Sequence, residues 1–187
     1  MPAEDGTLAI FLRVAKANPS ESFYCRVVNE FFGLPAHPLI VHLPVVLIPL
    51  ALVGVVLMAI RPKWWARYEW ATLVVCGVGA VGAVFAANSG EGLEEAVEND
   101  AVRVLLREHV EAGETARNMA LLFFLVVLVV VLVPRWMSGR TMPKWWKPVA
   151  AAAMVVAGVL ASVTIYDAGH SGAKSVWNDV QVQGESD

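Results

Sequence analysis

Four long apolar runs divide this chain, and each of them is long enough to cross a membrane. About 20 apolar residues, each rising 1.5 Å along a helix, span the roughly 30 Å hydrocarbon core of a bilayer. The pattern predicts membrane spans at about 39–60, 70–87, 116–133 and 148–166. The predicted fold is therefore all-α, an integral membrane four-helix bundle.

The segment before the first span has a different periodicity. Between residues 22 and 33, pairs of apolar residues, most of them aromatic, recur every four positions, with polar residues between them. This spacing is typical of an amphipathic helix with one aromatic face, lying in the membrane interface or packed on the protein. We therefore divide the chain into an N-terminal amphipathic segment, a four-span transmembrane domain and a tail, at residues 1–35, 36–182 and 183–187.

Charge adds a direction to this bundle. Hydrophobic residues make up 57% of the chain and the net charge is only −3, but seven of the 14 basic residues fall in the short connections 61–69 and 134–147. Only one acid, Glu69, accompanies them, and six of the seven tryptophans cluster there. Because cytoplasmic loops carry the Lys/Arg excess and tryptophans mark the membrane interface, we predict that these connections face the cytoplasm.

The remaining polar segments then face outward. The topology places both termini and the 88–114 loop on the extracytoplasmic side of a bacterial cytoplasmic (inner) membrane. We expect that loop to hold a short helix with polar breaks. The lipid bilayer is the first partner that the sequence implies. Since topology accounts for the basic residues, nucleic-acid binding has no support.

All four histidines fall on the predicted outer side. His37 and His42 stand at the outer end of the first span, His109 lies in the 88–114 loop, and His170 follows the fourth span by four residues. Imidazole is a common ligand for zinc, copper and haem iron. Carboxylates often hold such rings in place by hydrogen bonding, and three that could do so here are Glu91, Glu108 and Asp167.

His42 is the most informative of the four, because it interrupts an otherwise apolar run. An ionisable residue inside a span usually faces the bundle interior, which favours His42 as a haem or metal ligand. The alternative is a neutral ring bonded to a helix-end carbonyl. Five residues turn a helix by about 500°, so that His37 and His42 point about 140° apart and would belong to different centres.

Other familiar site patterns are absent or out of context. Gly77, Gly79 and Gly82 match a dinucleotide-binding fingerprint, but they lie inside an apolar span, where small residues serve close helix packing. No nucleophile–base arrangement is visible, and we predict no catalytic residue. An electron-transfer or binding subunit is therefore favoured over a stand-alone enzyme.

Several of these stretches together resemble a known family. Residues 37–44 resemble the HPxxVHxP opening of the bacterial membrane family called domain of unknown function 2231 (DUF2231). Residues 88–111 and 169–177 resemble its loop between spans two and three and its closing glycine–histidine motif. The resemblance covers residues 35–182 and departs at Asn178-Asp179, where relatives often have a further histidine-glycine.

The resemblance implies a four-helix membrane domain. It also implies a respiratory or haem-linked role, because relatives are similar to segments that are fused to Rieske or c-type cytochrome domains. It also implies respiratory or other membrane subunits, or further copies of the chain, as partners. Such implications are associations and not a mechanism.

Three functional hypotheses follow. The first is a redox membrane protein that binds one b-type haem (haem b) near the outer face, with His42 as one axial ligand and His170 or His109 as the other. The second is a zinc- or copper-binding membrane protein that uses His37, His42, His109 and His170. The third is a cofactor-free structural subunit of a larger membrane complex.

Overall fold

The computed structural model describes residues 30–31, 34–95, 100–137 and 142–177. Two short strands, β1 (Glu30–Phe31) and β2 (Leu34–Pro35), pair antiparallel ahead of the first helix. The amphipathic helix predicted at 22–33 is not confirmed, because most of that segment lies outside the described residues and its described part is β1.

The rest of the described chain is helical. The helices are α1 (Ala36–Ile40), α2 (His42–Ile60), a 3-10 turn (Pro62–Trp64), α3 (Trp65–Glu95), α4 (Asp100–Trp136) and α5 (Trp146–Trp177). Four helical segments are long and apolar enough to cross a membrane, which confirms the four predicted spans. The four long helices pack as a ring in the order α2, α3, α4, α5, so that α2 lies diagonally opposite α4.

The polar stretch between the second and third spans differs from its prediction. We expected a loop over 88–114, but α3 continues to Glu95 and α4 already begins at Asp100. Ala, Leu, Glu and Arg dominate the start of α4 and are strong helix formers. Near the end of α3, Gly90 lies against the ring of His37, as described below. His109 therefore stands on a helix and not in a loop.

Small residues bring α2 and α3 close together, as the sequence predicted. A Cβ atom on Gly79 would lie 2.9 Å from Cδ1 of Ile48, and one on Gly82 would lie 2.7 Å from Cβ of Leu43. Either distance is a steric clash, so only glycine permits this helix separation.

One ion pair joins α3 and α4 at the basic end. The Arg135 guanidinium donates a hydrogen bond to the buried Glu69 carboxylate and also to the carbonyl of Val131. The same guanidinium lies 4.8 Å from the ring centre of Trp70. The single acid that accompanies the basic connections is thus neutralised inside the structure.

The two helical hairpins repeat one another. The buried residues of α2 are Pro44, Ile48, Ala51, Val55 and Met58. Each has a buried counterpart 72 positions later in α4: Ala116, Ala120, Phe123, Val127 and Val130. Buried positions of α3 recur 82 positions later in α5, as in Ala83 and Ile165 or Ala86 and Ala168.

Contacts between the hairpins follow the same relation. Leu52 of α2 lies against Gly158 of α5. Its counterpart Phe124 of α4 lies against Gly77 of α3, the neighbour of Cys76, which is the counterpart of Gly158. The exchange of α2 with α4 and of α3 with α5 is a half-turn about the bundle axis. The molecule therefore has an approximate internal twofold symmetry that the hydrophobic pattern alone did not reveal.

Candidate cofactor site

Two of the four histidines meet at the end of the bundle opposite the basic connections. The ring of His37, on α1, lies 5.9 Å from the ring of His109, on α4, and their planes are perpendicular. The two positions are 72 residues apart, the spacing that relates all the equivalent positions of α2 and α4. The pair therefore lies across the internal symmetry axis.

The ring of His37 is fixed by α3. Its Nδ1 lies 2.9 Å from the carbonyl oxygen of Ala86 and 3.0 Å from Oγ of Ser89. Ser89 itself donates to the same carbonyl at 2.9 Å. Because a carbonyl oxygen can only accept and the serine proton is already used, Nδ1 must carry the hydrogen. In the neutral ring, Nε2 then keeps its lone pair.

His109 has the same arrangement on α5. Its Nδ1 lies 3.0 Å from the carbonyl oxygen of Ala168 and 3.3 Å from Oγ of Ser171, and Ser171 donates to that carbonyl at 2.9 Å. The same argument assigns the proton to Nδ1 and the lone pair to Nε2. Metal-binding histidines almost always donate their other ring N–H to a carbonyl or a carboxylate in this way.

A glycine accompanies each serine and lies against each ring. A Cβ atom on Gly172 would lie 2.8 Å from Cε1 of His109, and one on Gly90 would lie 3.4 Å from Cε1 of His37. The first distance is a clash and the second is ordinary contact. Each ring therefore rests on a short Ala-x-x-Ser-Gly segment, at residues 86–90 in α3 and 168–172 in α5.

A cavity opens beside the two rings. Its volume is about 70 Å³. Most of its lining forms equivalent pairs from the two hairpins: His37 and His109, Val41 and Gly113, Pro44 and Ala116, Val45 and Arg117, Ala83 and Ile165, Ala86 and Ala168, Ala87 and Gly169. Its walls are thus small and apolar, and Arg117 is the one charged lining residue.

A third metal-binding side chain does not join this pair. Among the residues that the structure describes, no group of three His, Cys, Asp or Glu side chains could hold one metal ion. Glu108 and Asp167 are exposed, and the side chain of Glu91 lies outside the described set. The site therefore offers two imidazoles and apolar walls.

His42 and His170, which the sequence favoured as ligands, lie elsewhere. Both are exposed. Nδ1 of His42 lies 2.6 Å from the carbonyl oxygen of Pro38, one turn earlier, and the His170 ring stacks on Tyr166 at a centroid distance of 6.2 Å. Within the described part of the chain, His37 and His109 are the only two histidines in ring contact. The geometry favours this pair over one that includes His42.

A signal for this pairing is present in the sequence. The Ala-x-x-Ser-Gly segments recur 82 residues apart, in the halves of α3 and α5 that lie away from the basic connections. Each is matched by a histidine earlier in its own hairpin, and these two histidines are 72 residues apart. The internal repeat of the sequence therefore points to His37 and His109 as a pair. The apolar run around His42 favours a different histidine.

Comparison with protein families decides what the chain is related to. The family model described as "Predicted membrane protein (DUF2231)" matches residues 33–183. The chain belongs to this family. The match spans both hairpins and both Ala-x-x-Ser-Gly segments, so the DUF2231 domain includes the whole candidate site. Comparison with curated proteins and with solved structures finds no match.

Proposed function

We propose that this membrane protein binds one b-type haem between His37 and His109 and serves as an electron-transfer subunit. The observation that carries the proposal is the close pair of rings, each with its Nδ1–H donated to a backbone carbonyl. Haem in electron-transfer proteins is held by two axial side chains, and histidine is a common choice. The haem would supply one-electron chemistry; the protein residues position it and exclude water.

The separation of the rings fits a metal atom between them. Metal–imidazole bonds of about 2.0–2.1 Å, with about 1.1 Å from each ring centre to its nitrogen, place the centres about 6.3 Å apart in a linear arrangement. The observed distance is 5.9 Å. A small opening of the bundle would accommodate the atom. The perpendicular planes are compatible, since rotation about the metal–nitrogen bond leaves the bond length unchanged.

The number of donors favours haem iron over a bare metal ion. A porphyrin already supplies four ligands, so that two imidazoles complete the coordination. Zinc sites need three or four protein ligands, and no such group is found among the described residues. The donor set therefore supports haem more than the zinc or copper alternative.

The cavity walls suit a flat apolar ring system. The sides between the two histidines are formed by α3 and α5, which present Ala86, Ala87, Ala168 and Gly169. Alanine and glycine leave room next to the backbone, as a porphyrin edge requires. Cofactor sites in helical bundles are built from facing helices in this manner. The cavity of about 70 Å³ is smaller than a haem, so a bound haem would also occupy the space outside its open side.

The membrane orientation proposed from the charge pattern predicts on which side of the membrane this site lies. With the basic connections in the cytoplasm, His37 and His109 lie near the extracytoplasmic face of the cytoplasmic membrane. A cofactor there could exchange electrons with a quinol pool or membrane partner and with an extracytoplasmic acceptor. Respiratory or other membrane subunits are the partners that this role implies.

The proposal is tested by an absorption spectrum of detergent-purified protein, expressed with ample haem, in oxidised and dithionite-reduced forms, with a pyridine haemochrome assay and metal analysis. We expect a Soret band, a reduced α band and about one haem per chain. If the protein is colourless and contains stoichiometric zinc or copper, the cofactor is a metal ion and not haem. Protein without either would leave the structural-subunit hypothesis.

A further inference from the structure

A repeated sequence also marks the two turns at the basic end, with a spacing of 81 residues instead of the 82 that relates α3 to α5. Residues 62–65 and 143–146 have the same sequence, Pro-Lys-Trp-Trp, and α3 and α5 each begin at the second tryptophan. In each turn the N–H of the second tryptophan bonds to the proline carbonyl: Trp65 N–H bonds to Pro62, and Trp146 N–H bonds to Pro143 at 2.9 Å. We call these segments the Pro-Lys-Trp-Trp turns.

We propose that each Pro-Lys-Trp-Trp turn binds the headgroup phosphate of an anionic phospholipid. This inference is independent of the haem proposal. Packing accounts for the second tryptophan of each turn, since Trp65 and Trp146 lie against the core. It does not account for the exposed lysine and first tryptophan that the two turns share. The first tryptophans of the turns, Trp64 and Trp145, are 39% and 61% exposed. Identical side chains at exposed equivalent positions point to a shared partner outside the chain.

The charge of these turns fits an anion. The lysines of the turns and the basic residue in the following helical turn are all exposed: Lys63, Lys144, Arg67 and Lys147. Within the part of the chain that the structure describes, none of them forms an ion pair with a carboxylate. The only acid at this end, Glu69, is bound to Arg135. A surplus of positive charge is therefore available to an external partner.

The position of the turns selects a lipid over a soluble anion. Candidate spans end at Ile60 and Trp136 and begin again at Pro62 and Trp146, so that both turns lie where the helices leave the hydrocarbon. Tryptophan rings prefer the headgroup level, and lysines beside them attract anionic lipids. In each turn, the lysine would contact the phosphate of one lipid molecule, and the tryptophan would lie beside the acyl carbonyl groups of the same lipid.

The experiment uses the full-length protein in nanodiscs of phosphatidylcholine with an equal fraction of phosphatidylglycerol. Native mass spectrometry would count the phosphatidylglycerol that remains bound. We expect two retained molecules in the unmodified protein. Because each lysine near a membrane surface contributes about fivefold in affinity, the double variant Lys63→Gln/Lys144→Gln should lose both. Both side chains are exposed, so this variant should keep the fold and the helix content of the unmodified protein.

The matched control removes two cations from the other end. Arg107→Gln/Lys174→Gln has the same net charge as the test variant, at exposed positions far from the turns. This control should retain both lipids. Equal retention by the test variant, or equal loss in both variants, would overturn the proposal. Displacement of the lipid by millimolar inorganic phosphate in detergent would also overturn it, because the turns would then be sites for a free anion.

Discussion

The rings of His37 and His109 stand 5.9 Å apart at one end of the bundle, and each is hydrogen-bonded to the helix that follows it in its own hairpin. Each hairpin thus fixes the orientation of one imidazole by itself. The circular arrangement of the four helices brings the two imidazoles together. The site exists only when both hairpins are assembled, and this relation underlies most of the following predictions.

The serines should set the strength of cofactor binding. Ser89→Ala and Ser171→Ala each remove one acceptor of the Nδ1–H and leave the carbonyl in place. Loss of a hydrogen-bonding partner of a metal ligand costs about tenfold or more in affinity. We expect that loss in a haem titration followed at the Soret band. The control is Ser162→Ala, whose hydroxyl bonds only within α5, to Gly158 at 2.8 Å, and which should bind haem normally.

The two glycines of the site should respond differently to alanine. Gly172→Ala places a methyl group 2.8 Å from the His109 ring and should lower haem occupancy, whereas Gly90→Ala at 3.4 Å should leave it close to normal. Alanine raises helix stability by up to about 1 kcal/mol relative to glycine. The melting temperature of the apoprotein should therefore not fall in Gly90→Ala, whereas the contact with the His109 ring offsets this gain in Gly172→Ala. Equal haem occupancy in the two variants would contradict the placement of His109.

The ion pair at the basic end should contribute to stability and not to the cofactor. Glu69→Gln leaves Arg135 without a charged partner; the arginine side chain is 41% exposed, so the effect is smaller than for a fully buried pair. We expect a loss of about 1–2 kcal/mol in the free energy of unfolding. Thermal unfolding in detergent measures it, with Glu114→Gln, an exposed acid, as the control. If the two variants unfold at the same temperature, the ion pair does not stabilise the protein.

The proposed orientation can be tested on intact cells. A cysteine at Ser138, in the connection between α4 and α5, should react with a membrane-impermeant maleimide only after the cells are opened. A cysteine at Lys174 should react from outside. The background carries Cys25→Ser, and the native Cys76 is buried. The reverse labelling pattern would place the histidine end in the cytoplasm.

The sequence was sufficient for the four spans and for the small-residue contacts of α2 and α3, because length, hydropathy and glycine spacing determine them locally. It was not sufficient for the histidine pairing. In an apolar run such as that around His42, nearly every face of the helix is apolar, and the pattern does not say which face is inside. His42 satisfies its Nδ1–H on the carbonyl of Pro38, one turn back, which explains how an exposed imidazole is accommodated.

The extent of α3 and α4 was also misjudged from local composition. The polar stretch 88–114 was predicted to be a loop that holds a short helix. In the structure α3 continues to Glu95, and the contacts of the His37 ring with Ser89 and Gly90 near its end are long-range contacts that no local rule contains. In the sequence, these long-range contacts are indicated by equivalent residues that recur at two fixed spacings, 72 and 82.

The most direct test of the account compares the haem content of four single variants, His37→Ala, His109→Ala, His42→Ala and His170→Ala, purified in parallel and assayed by pyridine haemochrome. The account predicts that the first two lose most of their haem, since a missing axial ligand weakens binding by far more than the tenfold expected for its hydrogen-bond partner. It predicts that the last two retain haem at the level of the unmodified protein. Loss of haem in His42→Ala or His170→Ala, with retention in His37→Ala and His109→Ala, would contradict the account.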